Sequence, residues 1–130
     1  MSPAPRPRRA LPDALSLARL RGKVELTRHS REALFHFLII AAGIVAFVRV
    51  RYAPQILATL PEISVEFRND ISRLRAIVQD TAISRELWLR SRHGTWRFFR
   101  VTAEGLVEIG RDGHVLPENC GGGTAGPVAS

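Results

Sequence analysis

ALFHFLIIAAGIVAFV, residues 33–48, governs how the rest of the chain is read: sixteen residues without a formal charge. As one helix the run would extend roughly 24 Å at 1.5 Å per residue. That is short of the ~30 Å hydrocarbon core of a bilayer, which usually takes about 20 apolar residues. The flanks make up the difference, because Arg28 and Arg31 precede the run and Arg49, Arg51 and Tyr52 follow it. Long arginine side chains snorkel from a helix end to the interface. Apolar residues fall on every side of the helical wheel, which suits lipid better than a single packed stripe. The expectation is a single transmembrane anchor, Leu34 to Val48, within a segment spanning 33–52. More than thirty residues precede it and RVRYAP follows without a small-x-small cleavage site, so the anchor would stay uncleaved. Ala42, Gly43 and Ala46 would form a small-residue face for self-association of such helices. His36, inside the run, would sit at interface depth, either passive or as a pH-sensitive group.

Working outward toward the N-terminus, residues 1–32 form a basic arm. Eight of the chain's nineteen Lys and Arg lie there, against two acids, Asp13 and Glu25, before residue 32. The prolines of SPAPRPRR forbid helix or sheet at the start. PDALSLARLRG then reads as a short amphipathic helix, with Asp13 as N-cap and Gly22 as the residue after its end. The positive-inside rule places this arm in the cytoplasm and everything after the run across the membrane, a bacterial inner membrane in this reading. An arginine-rich, acid-poor arm is also the composition of a transit peptide, which is the rival explanation. Over the whole chain 18 Arg and 1 Lys face 12 acids, for a formal charge of +7. A single cysteine, Cys120, excludes a disulfide framework and a cysteine-built zinc site within one chain.

Toward the C-terminus, residues 53–84 read as a helical connector. Thr59-Leu60-Pro61-Glu62 has the form of a capping box with proline in the first turn. Ile63, Phe67, Ile71, Leu74 and Ile77 then recur at steps of three and four, which favours one continuous helix. EISVEFR, residues 62–68, also alternates as a strand does, so both readings stand for that stretch. Residues 85–116 read as an antiparallel β meander of three strands, 86–92, 95–101 and 106–110. His93-Gly94 would be the two-residue loop of the first hairpin. Residues 117–130, with GGGTAGP, are too poor in apolar side chains to fold. The fold class expected is therefore α+β: one transmembrane helix, an amphipathic connector helix, a small three-stranded meander and disordered termini.

Pairing the first two strands about His93-Gly94 sets Arg90 across from Arg97 and Trp88 across from Phe99. Trp88, Arg90, Arg92, Arg97 and Phe99 then share one face. Two arginines across a pair repel, and a bound anion would turn that repulsion into attraction. Arginines among aromatics suit phosphates, headgroups or stacked bases; the same residues also fit a solvated face covered by the tail. G-x-S-x-G, P-loop, G-x-G-x-x-G and H-E-x-x-H are all absent from the sequence. No catalytic residue, metal site or cofactor is expected. The function expected is a small, single-pass, non-catalytic binding or assembly subunit, with membrane lipid and a larger membrane complex as partners. Two alternatives are a basic nucleic-acid-binding module, in which the apolar run is buried, and a phage- or toxin-type membrane-active envelope factor.

Overall fold

The structure, a computed structural model, describes residues 10–27 and 33–117. In chain order the elements are α1 (Ala10–Arg19), β1 (Lys23–Leu26), β2 (Phe37–Ala41), β3 (Ile44–Tyr52), α2 (Leu60–Glu66), α3 (Arg68–Arg75), β4 (Ile83–Arg90), β5 (Trp96–Val101) and β6 (Leu106–Ile109). The six strands form one sheet in sequence order, antiparallel throughout except for the central β3–β4 pair, which is parallel. The link from β3 to β4 is the α2–α3 crossover that a parallel pair requires.

The apolar run is a β-hairpin, and this overturns the transmembrane anchor. Phe37 to Ala41 pairs with Ile44 to Val48 around Ala42-Gly43. Gly43 has φ of 78°, the left-handed value that the third position of a type II turn demands. Ile39, Ile40, Ile44, Val45, Val48 and the phenylalanines are β-branched or aromatic, the side chains that fit a pleated surface. The run is apolar on nearly all sides because α1 covers one face of the sheet and the α2–α3 layer covers the other over β3 to β5, while Ile40 of β2 stays partly exposed. On one face α1 sets Ala14 and Ala18 over Phe37, Ile39, Ala46, Val48 and Trp88. On the other, Ile63, Phe67, Ile71 and Leu74 of α2 and α3 lie over Leu87, Leu89 and Phe99. Among the described residues no helix is long and apolar enough to cross a membrane. The single-pass topology and the inner-membrane address, both drawn from that helix, fall with it. Ala42 and Gly43 make the turn and Ala46 is fully buried under α1, so they form no helix face. His36 precedes β2, and its Nδ1 accepts the Val50 backbone N–H at 2.8 Å, extending the ladder by a side chain.

The remaining differences follow from the same architecture. The fold is α+β, but with a six-stranded mixed sheet and three short helices in place of a transmembrane helix beside a three-stranded meander. Residues 10–27 of the basic arm are part of that fold, as α1 and the edge strand β1. Asp13 lies within the first turn of α1, where it pairs with Arg90 at 3.0 Å. The tail 118–130, with Cys120, and residues 1–9 lie outside the described residues.

Between β3 and β4 the helical alternative holds for residues 62–68, and the single helix breaks in two at Phe67, whose φ of −107° and ψ of 26° leave the α region. The capping box forms: Glu62 N–H donates to Thr59 Oγ1 and Thr59 N–H donates to Glu62 Oε1. That bond from the Thr59 backbone holds the Glu62 carboxyl below its ordinary value. A depressed carboxylate stabilises the fold above its unfolded value, and the contribution is lost as pH falls through the folded value. Thr59→Ala, which removes the hydroxyl that caps Glu62 N–H, is expected to cost about 1 kcal/mol. Glu62→Gln, which removes the charge that the Thr59 N–H bonds, is expected to lower stability near neutral pH by an amount that shrinks in acid, and urea melts at two pH values check both parts.

In the β4–β5 hairpin the loop is one residue longer than the sequence reading. Ser91 N–H donates to Thr95 O, Gly94 N–H donates to Ser91 O, and Gly94 has φ of 91°. Arg92, His93 and Gly94 thus form a three-residue loop, a turn followed by a left-handed residue. The buried Ser91 hydroxyl holds it by accepting the His93 and Thr95 N–H groups. The extra residue shifts the pairing by one, so Trp88 faces Phe98 and Leu89 faces Arg97. A one-residue slip exchanges the two faces of a strand.

A candidate anion-binding cleft at one end of the sheet

The register separates the residues that the sequence reading placed on one face. Trp88 and Arg90 lie under α1, Arg97 and Phe99 lie under the α2–α3 layer, and Arg92 is exposed in the loop. Trp88 is fully buried, ringed by Phe37, Trp96 and Phe98 in edge-to-face contacts with centroids 4.9 to 6.2 Å away. Arg97 forks onto Glu108 at 2.8 and 2.9 Å, donates to Ile56 O and Ala58 O, and lies over the Phe99 ring. Its like-charge repulsion with Arg90 does not arise, because the two side chains project from opposite faces.

A cleft of about 250 Å³ opens where β4 begins and β5 ends. It is lined by the loop Gln79, Asp80 and Thr81 and by Ser84, Arg85, Arg100 and Thr102, with Arg85 projecting on the α2–α3 face of the sheet and Arg100 on the α1 face. Arg85 is buried and carries its charge to the end of α3, donating to Arg75 O, Ile77 O and Val101 O at 3.1 to 3.4 Å. A cation suits that position, because the last carbonyls of a helix carry partial negative charge. Arg100 donates from Nε to Ser84 Oγ at 3.1 Å and from Nη2 to Gly113 O at 2.6 Å. Among the described residues neither arginine has a carboxylate partner within ion-pair distance. The acid at the rim, Asp80, spends Oδ2 on the Ala82 N–H.

Behind the cleft a buried network fixes Arg100. Ser84 Oγ donates to Glu86 Oε2 at 2.7 Å and thereby turns a lone pair to Arg100. Glu86 is fully buried and accepts four donors: both terminal nitrogens of Arg21 at 2.8 and 3.0 Å, the Trp88 indole N–H at 2.9 Å, and Ser84. A carboxylate has about four lone-pair sites, so none is left for abstracting a proton. Ser84 and Glu86 therefore form a positioning pair rather than a nucleophile with its base. Across the sheet, Arg49 and Arg51 of β3 bracket Asp70 of α3 at 3.0 and 2.6 Å. Burial pulls the Arg49 guanidinium below its ordinary value and the Asp70 charge opposes that shift. Among the described residues no three metal-ligating side chains gather.

The cleft residues escaped the sequence reading, yet they leave a signal there. Arg85 interrupts the apolar stripe of Leu87 and Leu89, and Arg100 interrupts that of Trp96 and Phe98. A charge on a buried stripe must find partners. Comparison with known protein families, curated proteins and solved structures finds no match to this chain.

Proposed function

We propose that this protein is a non-catalytic binding module whose cleft takes an anionic, phosphate-class group carried by a larger partner. The supporting observation is Arg100, which lines the cleft without a carboxylate partner, with the buried charge of Arg85 close by on the other face of the sheet. Guanidinium groups bind phosphate oxygens through short charge-assisted hydrogen bonds. Thr81 and Gln79, whose side chains carry neutral donors, also line the cleft. This reading keeps the binding or assembly role expected from the sequence and drops the helix that was to anchor it.

Titration of the full chain with inorganic phosphate, followed by backbone NMR, tests the reading. Shifts are expected at Thr81, Ser84, Arg100 and Thr102, with saturation. Arg100→Ala is expected to weaken binding about tenfold or more, the loss of one charged hydrogen bond. Arg92→Ala, in the exposed loop, is expected to leave it unchanged. Shifts spread over the whole surface, or binding untouched by Arg100→Ala in a folded protein, overturn the proposal. The formal charge of +7 favours a nucleic-acid backbone as the second reading for the source of the phosphate. In that case affinity for a short oligonucleotide falls linearly on a log–log plot against salt.

A further inference from the structure

β1 ends the sheet on one side, and among the described residues nothing pairs with its outer edge. The opposite edge is partly closed, because Val115 bridges to Ile109 and Leu116 N–H donates to Glu108 O. Across β1 and β2, Thr27 N–H donates to His36 O. Lys23 and Glu25 are in phase with Thr27, so their backbone groups face β2, while Val24 and Leu26 turn theirs outward. The side chains alternate as well. Val24 packs on the α1 face, and Lys23 and Glu25 lie together on the other, 3.6 Å apart and 74% and 52% exposed.

Edge strands are commonly guarded by brevity and by charge. Here the two charges are opposite in sign and two residues apart, which makes the edge complementary to itself. We propose that two copies of this chain associate through antiparallel pairing of their β1 edges, with Val24 on the two-fold axis, joining the two sheets into one. In that register the two Val24 residues exchange both hydrogen bonds, and Lys23 of each copy faces Glu25 of the other. A shift of two residues sets Lys23 against Lys23 or Glu25 against Glu25, and like charges across a pair repel. A shift of one residue opposes outward backbone groups to inward ones and loses the ladder. Charge and hydrogen-bond phase therefore select one register. The pairing also brings Leu26, which is 58% exposed in the single chain, opposite the partner's Gly22. The contact of four-residue strands is far smaller than the ~1,200 Å² of a stable interface, so the dimer is weak and concentration-dependent.

Sedimentation velocity on the full chain over a rising concentration series reads this directly. The wild-type chain is expected to shift from monomer to dimer. Lys23→Glu and Glu25→Lys, both at exposed positions that leave the fold intact, each convert the attractive pairs to repulsive ones. Each alone is expected to dimerise at least about tenfold more weakly. An equimolar mixture of these two variants sets acids against bases on every pair and is expected to recover the dimer. Val24→Pro removes the outward N–H at a position where an edge strand tolerates proline, and is expected to stay monomeric. A wild-type chain that remains monomeric throughout overturns the proposal. So do charge variants that dimerise like wild type, or a mixture that fails to recover.

Discussion

Glu86→Ala is expected to destabilise the protein by about 3–5 kcal/mol, the cost of breaking a buried ion pair on one side only. The carboxylate is fully buried and satisfies donors from three different residues. Its removal strands the Arg21 guanidinium, which is largely enclosed, together with the Trp88 indole N–H and the Ser84 hydroxyl. Total stabilities of domains this size are about 5–15 kcal/mol, so the variant is expected to melt early or to remain partly unfolded. Urea unfolding followed by tryptophan fluorescence measures the loss. The double variant Arg21→Met/Glu86→Leu provides the contrast, since replacing both charges by apolar groups of similar size is often neutral or stabilising. It is expected to recover most of the deficit. If Glu86→Ala alone costs less than about 1 kcal/mol, the network contributes little to folding.

Trp88→Ala is expected to cost a similar amount, about 3–5 kcal/mol, by the cavity it leaves among Phe37, Trp96 and Phe98. It also removes one of the four donors to Glu86. The same substitution would act on binding, with stability nearly unchanged, if the indole lay on an open contact face as the sequence reading had it. Denaturant melts of Trp88→Ala beside Arg92→Ala separate the two cases. Arg92 sits exposed in the loop and its loss is expected to stay within about 0.5 kcal/mol.

The elements legible in the sequence were those with local chemistry. The capping box at Thr59 and Glu62 is written in four consecutive residues, and the strands on either side of His93-Gly94 alternate clearly. α1 was legible from its leucine and alanine spacing. What was not legible depended on distant partners. Residues 33–48 look alike as a lipid-facing helix and as two strands beneath helices, because both environments remove water from most sides of the run. The distinguishing clues were the run's wealth of β-branched and aromatic side chains and the glycine at its middle. The hairpin register turned on Ser91, whose hydroxyl captures two N–H groups and lengthens the loop by one residue. That single residue moved Phe99 and Arg97 to the opposite face from Trp88 and Arg90. The cleft was hidden for another reason: Arg85 and Arg100 both line it only because the sheet order brings β4 and β5 side by side.

The bond between Arg21 and Glu86 joins positions 65 residues apart, and this orders events during synthesis. The β2–β3 hairpin needs only neighbouring residues and can close as it leaves the ribosome, since local contacts form fastest. Its parallel partner β4 follows some thirty residues later, beyond the crossover helices. Until then the edge of β3 that pairs with β4 is open, and such edges invite aggregation while a chain is incomplete. The first α-helix emerges early and finds Phe37, Ile39, Ala46 and Val48 in the hairpin, but Arg21 behind it finds its buried carboxylate, and the helix finds Trp88 and Phe98, only after the second half has arrived. The N-terminal segment is therefore first in the chain and among the last to lock, so a nascent chain stalled before residue 86 is the form most in need of a chaperone.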